Sequence, residues 1–124
     1  MAFDRNDPAS RTLDLAGVLE RLEGDIELLK ELLSMFFDFC PDQLAEIRSA
    51  LDRSDAGALA RAAHCLKGAA GNVGAAAAFE LCRRLETMGR EAVLDAALAT
   101  FQELEIELTA LRTEAVEKGL AGHT

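Results

Sequence analysis

Tryptophan and tyrosine are absent from this chain, proline occurs only twice, and β-branched residues are sparse. Sheets are built largely from β-branched and aromatic residues, so a β fold is disfavoured from the start. Also missing is any segment that approaches the roughly 20 apolar residues of a membrane span. The opening MAFDRNDPASRTLDL carries neither the basic region nor the apolar stretch of a secretory signal. A cytoplasmic chain with no membrane partner is the expectation. No Lys/Arg run is interleaved with aromatics, and 13 basic residues stand against 22 acidic ones, for a formal net charge of −9. Such a balance repels polyphosphate backbones and argues against nucleic acid as a partner.

Cysteine and histidine are scarce as well. Cys40, Cys65 and Cys82 form no C-x-x-C pair, and an odd number makes a poor disulfide framework, as suits a reducing compartment. Cys82 falls on an apolar helical face, where a thiol packs as a small hydrophobe. Of the two histidines, His123 sits in the C-terminal tail, so a zinc ion would find too few ligands.

What the chain has in quantity is Ala, Leu, Glu and Arg, all good helix formers. Its 124 residues are 50% hydrophobic, which suits the core of one domain. Residues 1–11 and 119–124 lack periodicity and read as flexible ends, leaving 12–118 as a helical domain. A short helix fits Leu13 to Leu22, closed by Gly24, and Asp25 is placed to cap the next. From Ile26, an apolar stripe of Leu29, Leu32, Leu33, Phe36, Phe37 and Cys40 continues in phase through Leu44, Ile47 and Leu51. Pro41 interrupts it, so either one long bent helix runs to about Asp52 or two helices meet near Phe39 to Asp42; the constant phase favours one.

Ser54 to Gly57 supplies a cap and turn before a helix that ends near Val73. Gly74 marks a tight link into a helix from Ala75 to about Met88, closed by Gly89. A last helix over about Ala92 to Lys118 carries Leu94, Leu98, Phe101, Leu104, Leu108 and Leu111 on one face. Short links favour antiparallel neighbours. The fold expected is all-α: an antiparallel up-down four-helix bundle with a short additional N-terminal helix.

The helix over 57–73 carries the functional clue. At about 100° per residue, Leu59, Ala62, Ala63, Leu66, Ala69, Ala70 and Val73 share one face, and His64 lies roughly 160° from its centre. His64 is therefore exposed. Around it lie Ala60, Arg61, Lys67, Gly68 and Gly71. A glycine inside a helix costs about 1 kcal/mol relative to alanine, so two beside the most reactive side chain suggest that another protein approaches the ring closely. Lys67, three residues along, can offset negative charge placed there. Imidazole titrates near neutral pH, which leaves a large share uncharged with one ring nitrogen nucleophilic. On the following helix Ala78, Leu81, Cys82, Leu85 and Met88 form the core stripe, and Phe79, Arg83, Glu86 and Arg90 lie along one flank.

The run His64-Cys65-Leu66-Lys67-Gly68-Ala69-Ala70-Gly71-Asn72-Val73-Gly74 resembles the signature H-x-L-K-G-x-x-x-x-x-G of histidine-containing phosphotransfer (HPt) domains. Gly24-Asp25 with Leu28, Leu29, Leu32, Leu33 and Phe36 upstream, and Leu81-Cys82 with Leu85-Glu86 downstream, extend the resemblance over roughly residues 13–111. Ala69 and Ala70 depart from the serines common in the family. The resemblance implies that His64 takes a phosphoryl group on its outer ring nitrogen from a receiver-domain aspartyl phosphate and passes it to a second receiver. Lys67 would steady the phosphoryl oxygens, and Glu86 would bond the inner nitrogen and fix the tautomer; the alternative for Glu86 is a solvated shoulder. Gly68 would leave room for the partner, with Arg61 and Gly71 on the same docking face; Arg83 or Arg90 could add positive potential there, and Leu13, Leu15 and Val18 an apolar rim if the first helix packs beside it. Partners would be receiver domains of response regulators or of hybrid histidine kinases, and the chain a monomer.

The chain has no glycine-rich nucleotide loop and no acidic cluster arranged for Mg²⁺, so it is expected to be a phosphoryl carrier without its own kinase activity. It needs no cofactor; Mg²⁺ belongs to the receiver. The alternatives are a helical adaptor that binds without chemistry and an HPt-like domain phosphorylated directly by a histidine kinase catalytic domain.

Overall fold

Three aspartates start the first three helices in the computed structural model, which describes residues 13–122. The Asp14 carboxylate accepts from the Gly17 N–H at 3.1 Å and opens α1, Leu15–Arg21. Asp25 accepts from Leu28 N–H at 3.0 Å and opens α2, Ile26–Asp52. Asp55 accepts from Ala58 N–H at 3.0 Å and opens α3, Ala56–Asn72. Each cap satisfies a donor that the helix cannot, a contribution of about 1 kcal/mol. Then follow α4, Ala76–Glu91, and α5, Ala97–Glu117, whose first residues have no side-chain cap.

The principal contacts run between α2 and α3, α3 and α4, α4 and α5, and α2 and α5, the closed cycle of a four-helix bundle. Its core is aliphatic: Leu29, Leu33, Ile47, Leu59, Leu66, Leu85, Leu104 and Leu111 are fully buried, with Phe101 among them. The short α1 is held at its start to the α3–α4 hairpin, where Asp14 N–H donates to the Gly74 carbonyl at 2.7 Å. Gly74 has φ +74°, and a Cβ there would stand 3.0 Å from both the Asp14 carbonyl oxygen and Val18 Cβ. Only glycine suits that conformation and that approach together. The expected bundle with its extra N-terminal helix is what forms.

α2 runs unbroken through Pro41, which is exposed, as the constant phase of its stripe indicates. The other end of the chain differs from expectation. α5 begins at Ala97 instead of Ala92, and its buried face is Ala97, Thr100, Phe101, Leu104, Glu107, Leu108, Leu111 and Ala115. Leu98, expected on the core stripe, is 47% exposed, because at about 100° per residue it falls well off the face that Phe101, Leu104, Leu108 and Leu111 bury. α4 does not close at Gly89, which is buried inside the helix; it closes at Ala92, in the left-handed region with φ +55°. Leu120 lies in the stretch read as a flexible tail, yet it is buried and its N–H donates to the Ala115 carbonyl at 2.7 Å, anchored by Gly119 at φ +71°. The expected flexible residues 1–11 and 123–124, with His123, fall outside the described residues. No helix among the described residues is long and apolar enough to cross a membrane.

Candidate functional site

Burial of Leu59, Ala63, Leu66 and Ala70 fixes the roll of α3 about its axis. His64 is thereby turned outward, with 63% of its side chain exposed. Ala69, at the edge of the buried face, is half-buried. Beneath the ring lies Glu86 of α4, which is 3% exposed and therefore not a solvated shoulder. Three basic side chains converge on this carboxylate. His64 Nδ1 stands 2.9 Å from Oε2, Lys67 Nζ 2.7 Å from Oε1, and Arg90 Nη2 2.6 Å from Oε2.

A buried carboxylate needs such company to stay charged. The Lys67 hydrogen bond is the largest influence and holds Glu86 below the usual carboxylate range against its burial, helped by the His64 bond and by the charges of Lys67 and Arg90. An ionised carboxylate only accepts, so the 2.9 Å contact requires a proton on Nδ1. Nε2 on the far side of the ring from Glu86 then carries the lone pair. The arrangement presents one nucleophilic nitrogen to solvent with a lysine and an arginine close by.

Lys67 is held twice, by Glu86 and by the ring of Phe79, whose centroid lies 6.0 Å from Nζ. Phe79 also meets α3 at Gly71, where a Cβ would come 3.4 Å from its ring. That is ordinary contact, which an alanine would tolerate, and the Gly71 carbonyl accepts from Arg21 Nη2 of α1 at 3.1 Å. Gly68 is different: a Cβ there would meet nothing within 4 Å, so the space beside His64 is open. Arg90 joins the cluster, whereas Arg83 is engaged by Glu80, with Nε 2.9 Å from Oε2. Arg61 also turns away: its guanidinium lies beside Gly57 and its charge acts on Asp55 at the start of α3. Leu13 and Val18 cannot form an apolar rim, being 3% and 1% exposed; Leu15 is half-buried.

Two features went unread in the sequence. Phe79 stood on the correct flank, but its contact with Lys67 had no sequence signature. A shallow apolar groove between α2 and α3 is lined by Leu32, Met35, Phe36, Phe39, Ala69, Asn72 and Val73. Its signal was present in Met35 and Phe39, large apolar residues off the core stripe that stay exposed. All three cysteines are free thiols; burial pushes Cys40 and Cys82 up to about 12, and Cys65 is exposed beside His64. Among the described residues no group of three or more His, Cys, Asp or Glu side chains is placed to hold a metal ion.

An exposed histidine backed by a buried acid, with a lysine one turn along and an open glycine beside it, invites comparison with known families. The model of the Hpt domain matches residues 31–114, from α2 through α5 with the whole His64 cluster inside. The chain belongs to the Hpt family. Hpt domains are phosphoryl carriers of phosphorelays, so this is a histidine phosphotransfer protein. The structure is similar to the crystal structure of histidine-containing phosphotransfer protein B from Pseudomonas aeruginosa PAO1, with a TM-score of 0.80 and 28% identity. That similarity covers 88% of this Hpt chain and 95% of the other. Comparison with curated protein sequences gives no match.

Proposed function

We propose that His64 relays a phosphoryl group between the aspartates of two receiver domains, and that the chain has no kinase activity of its own. The observation that carries this reading is the 2.9 Å contact between Nδ1 of an exposed His64 and the buried Glu86, which leaves Nε2 as the nucleophile. In the forward step the Nε2 lone pair attacks the phosphorus of an aspartyl phosphate. The new N–P bond forms as the O–P bond breaks, and the aspartate leaves as a carboxylate. In the second step an aspartate of another receiver attacks, and the N–P electron pair returns to Nε2.

Lys67 has three ammonium donors, of which Glu86 Oε1 occupies one. The others are left to neutralise phosphoryl charge as transfer proceeds, while Arg90, 68% exposed, adds a second cation. Phosphoryl transfer depends largely on position and charge. The bundle supplies both, and the receiver supplies Mg²⁺ and the acidic pocket around its aspartate. In this reading the protein is a cytoplasmic monomer whose partners are receivers of response regulators or hybrid histidine kinases.

The test is incubation with receivers phosphorylated by their kinases. Acid-labile, base-stable label on this chain, lost in His64→Gln, is the expected result. No label from any receiver would make the chain a non-catalytic adaptor. Label from ATP through a histidine kinase catalytic domain, with no receiver present, would instead make it a direct kinase substrate.

A further inference from the structure

The carboxylate of Glu86 has a consequence for the phosphorylated state that goes beyond fixing a tautomer. Once Nε2 carries a phosphoryl group, the ring exists in two forms. In the cationic form Nδ1 keeps its proton; in the neutral form Nδ1 has only a lone pair. Glu86 distinguishes them sharply. Its Oε2 stands 2.9 Å from Nδ1 and belongs to an ionised, buried carboxylate that can only accept. The cationic ring donates to it. The neutral ring would set a lone pair against a carboxylate oxygen at hydrogen-bond distance, with no donor between them.

We propose that Glu86 is a positioning residue that keeps phosphorylated His64 in its cationic, readily transferred form, making this protein a fast relay and not a phosphoryl store. The inference rests on the reading above that Nε2 takes the phosphoryl group. The chemistry follows from the leaving group. When a receiver aspartate attacks the cationic form, the O–P bond forms, the N–P bond breaks and its electron pair returns to Nε2. The ring departs as neutral imidazole with the Nδ1 proton still in place, so no proton has to be supplied. From the neutral form the ring would depart as an imidazolide anion unless a proton arrived, which is far slower.

The charged groups around the ring are Glu86 and Arg90 from α4 and Lys67 from α3, with Arg61 turned toward Asp55. α2 borders α3 with the apolar Leu32, Met35, Phe36 and Phe39. Arg90 opposes the effect, because its Nη2 shares Oε2 with Nδ1 and draws on the same lone pairs. Glutamine at position 86 would abolish the discrimination, since its amide turns either its oxygen to a protonated Nδ1 or its NH₂ to a bare one. Glu86 and Arg90 therefore set the pH at which the phosphorylated ring loses its proton, in opposite directions.

The experiment is to phosphorylate the wild type, Glu86→Gln and Arg90→Ala on His64 with potassium phosphoramidate and follow the ring nitrogens by NMR across pH. The rate of label transfer to an unphosphorylated receiver is measured over the same range. Removal of a charge in hydrogen-bond contact shifts a titration by roughly one pH unit or more. In Glu86→Gln the ring midpoint should fall by about that amount, and transfer above it should slow about tenfold. In Arg90→Ala the midpoint should rise. A midpoint unmoved in both variants, with the phosphoryl group on Nε2, overturns the inference while leaving the relay intact. A phosphoryl group on Nδ1, or none on His64, overturns the relay reading itself. Should Glu86→Gln fail to fold, the direction of the Arg90→Ala shift decides: upward supports the proposal, and no shift or a downward one refutes it.

Discussion

At Gly68 the helix carries a residue that weakens it and that nothing in the fold requires. A Cβ there would meet no atom within 4 Å, and no positive φ demands glycine. The helical cost of glycine, about 1 kcal/mol relative to alanine, is therefore retained for something outside this chain. Gly68→Gln should keep or slightly raise the melting temperature and slow phosphoryl transfer at least about tenfold, because displacement of an approaching group by about 1 Å is enough for such losses. Thermal denaturation and transfer kinetics check the two halves; an unchanged transfer rate would remove the steric argument. This much was legible in the sequence, since a helical wheel places both His64 and Gly68 away from the core. The burial of Glu86 was not. Periodicity sets it on the flank of α4, where spacing alone pairs it with Arg90 at i, i+4 and Arg83 with Glu80 at i, i+3, but only the approach of α3, which brings His64 and Lys67 onto the carboxylate, decides that it is buried. Such choices are made between helices, and a single helix cannot display them.

Among the elements, α3 and α4 approach closely at Gly89. A Cβ there would fall 2.7 Å from the Ala56 carbonyl oxygen and 2.7 Å from the Ala60 nitrogen, both backbone atoms that cannot swing aside. This crossing sets how deeply Glu86, one turn earlier on α4, can sit beneath His64. In the sequence Gly89 looks like a helix terminator, because glycine is the usual one. The true terminator, Ala92, adopts the left-handed conformation at φ +55° without the residue suited to it, and Val93 N–H closes the end on the Met88 carbonyl. The same substitution pattern hid the late start of α5, since Ala92 to Ala97 reads as uninterrupted helix. Two variants separate the roles. Gly89→Ala should destabilise by about 1–3 kcal/mol through overpacking, despite its better helix propensity. Ala92→Gly should stabilise by about 1 kcal/mol by relieving the left-handed alanine. Denaturant midpoints measure both, and a neutral or stabilising Gly89→Ala would mean that the two helices can part there without cost.

For the whole molecule, the hydrophobic pattern specified the bundle: four stripes, short links and one capped extra helix leave few other arrangements. Charge is distributed less evenly than the net value of −9 implies, since Lys67 and Arg90 gather at the one face that would meet a phosphoryl group, around a single buried acid. That acid also ties stability to pH. Glu86, Asp55 and Glu80 all have carboxyl pKa values below their ordinary range: Glu86 chiefly through Lys67, Asp55 through the Ala58 N–H that it caps, and Glu80 through Arg83. A carboxylate whose folded pKa is depressed contributes stability that is complete above its unfolded pKa, about 4.3 for glutamate, and is lost as pH falls through the folded value. Glu80 and Asp55 sit where solvent screens their partners, so their share is small. Glu86 should dominate. The stability difference between wild type and Glu86→Gln, read from denaturant unfolding, should therefore hold steady from neutral pH down to about pH 5 and shrink as the pH falls below about 4.3, the unfolded value for glutamate. A difference of the same size at pH 7 and pH 3 would show that the ionised carboxylate gains nothing in the folded state from Lys67, His64 or Arg90.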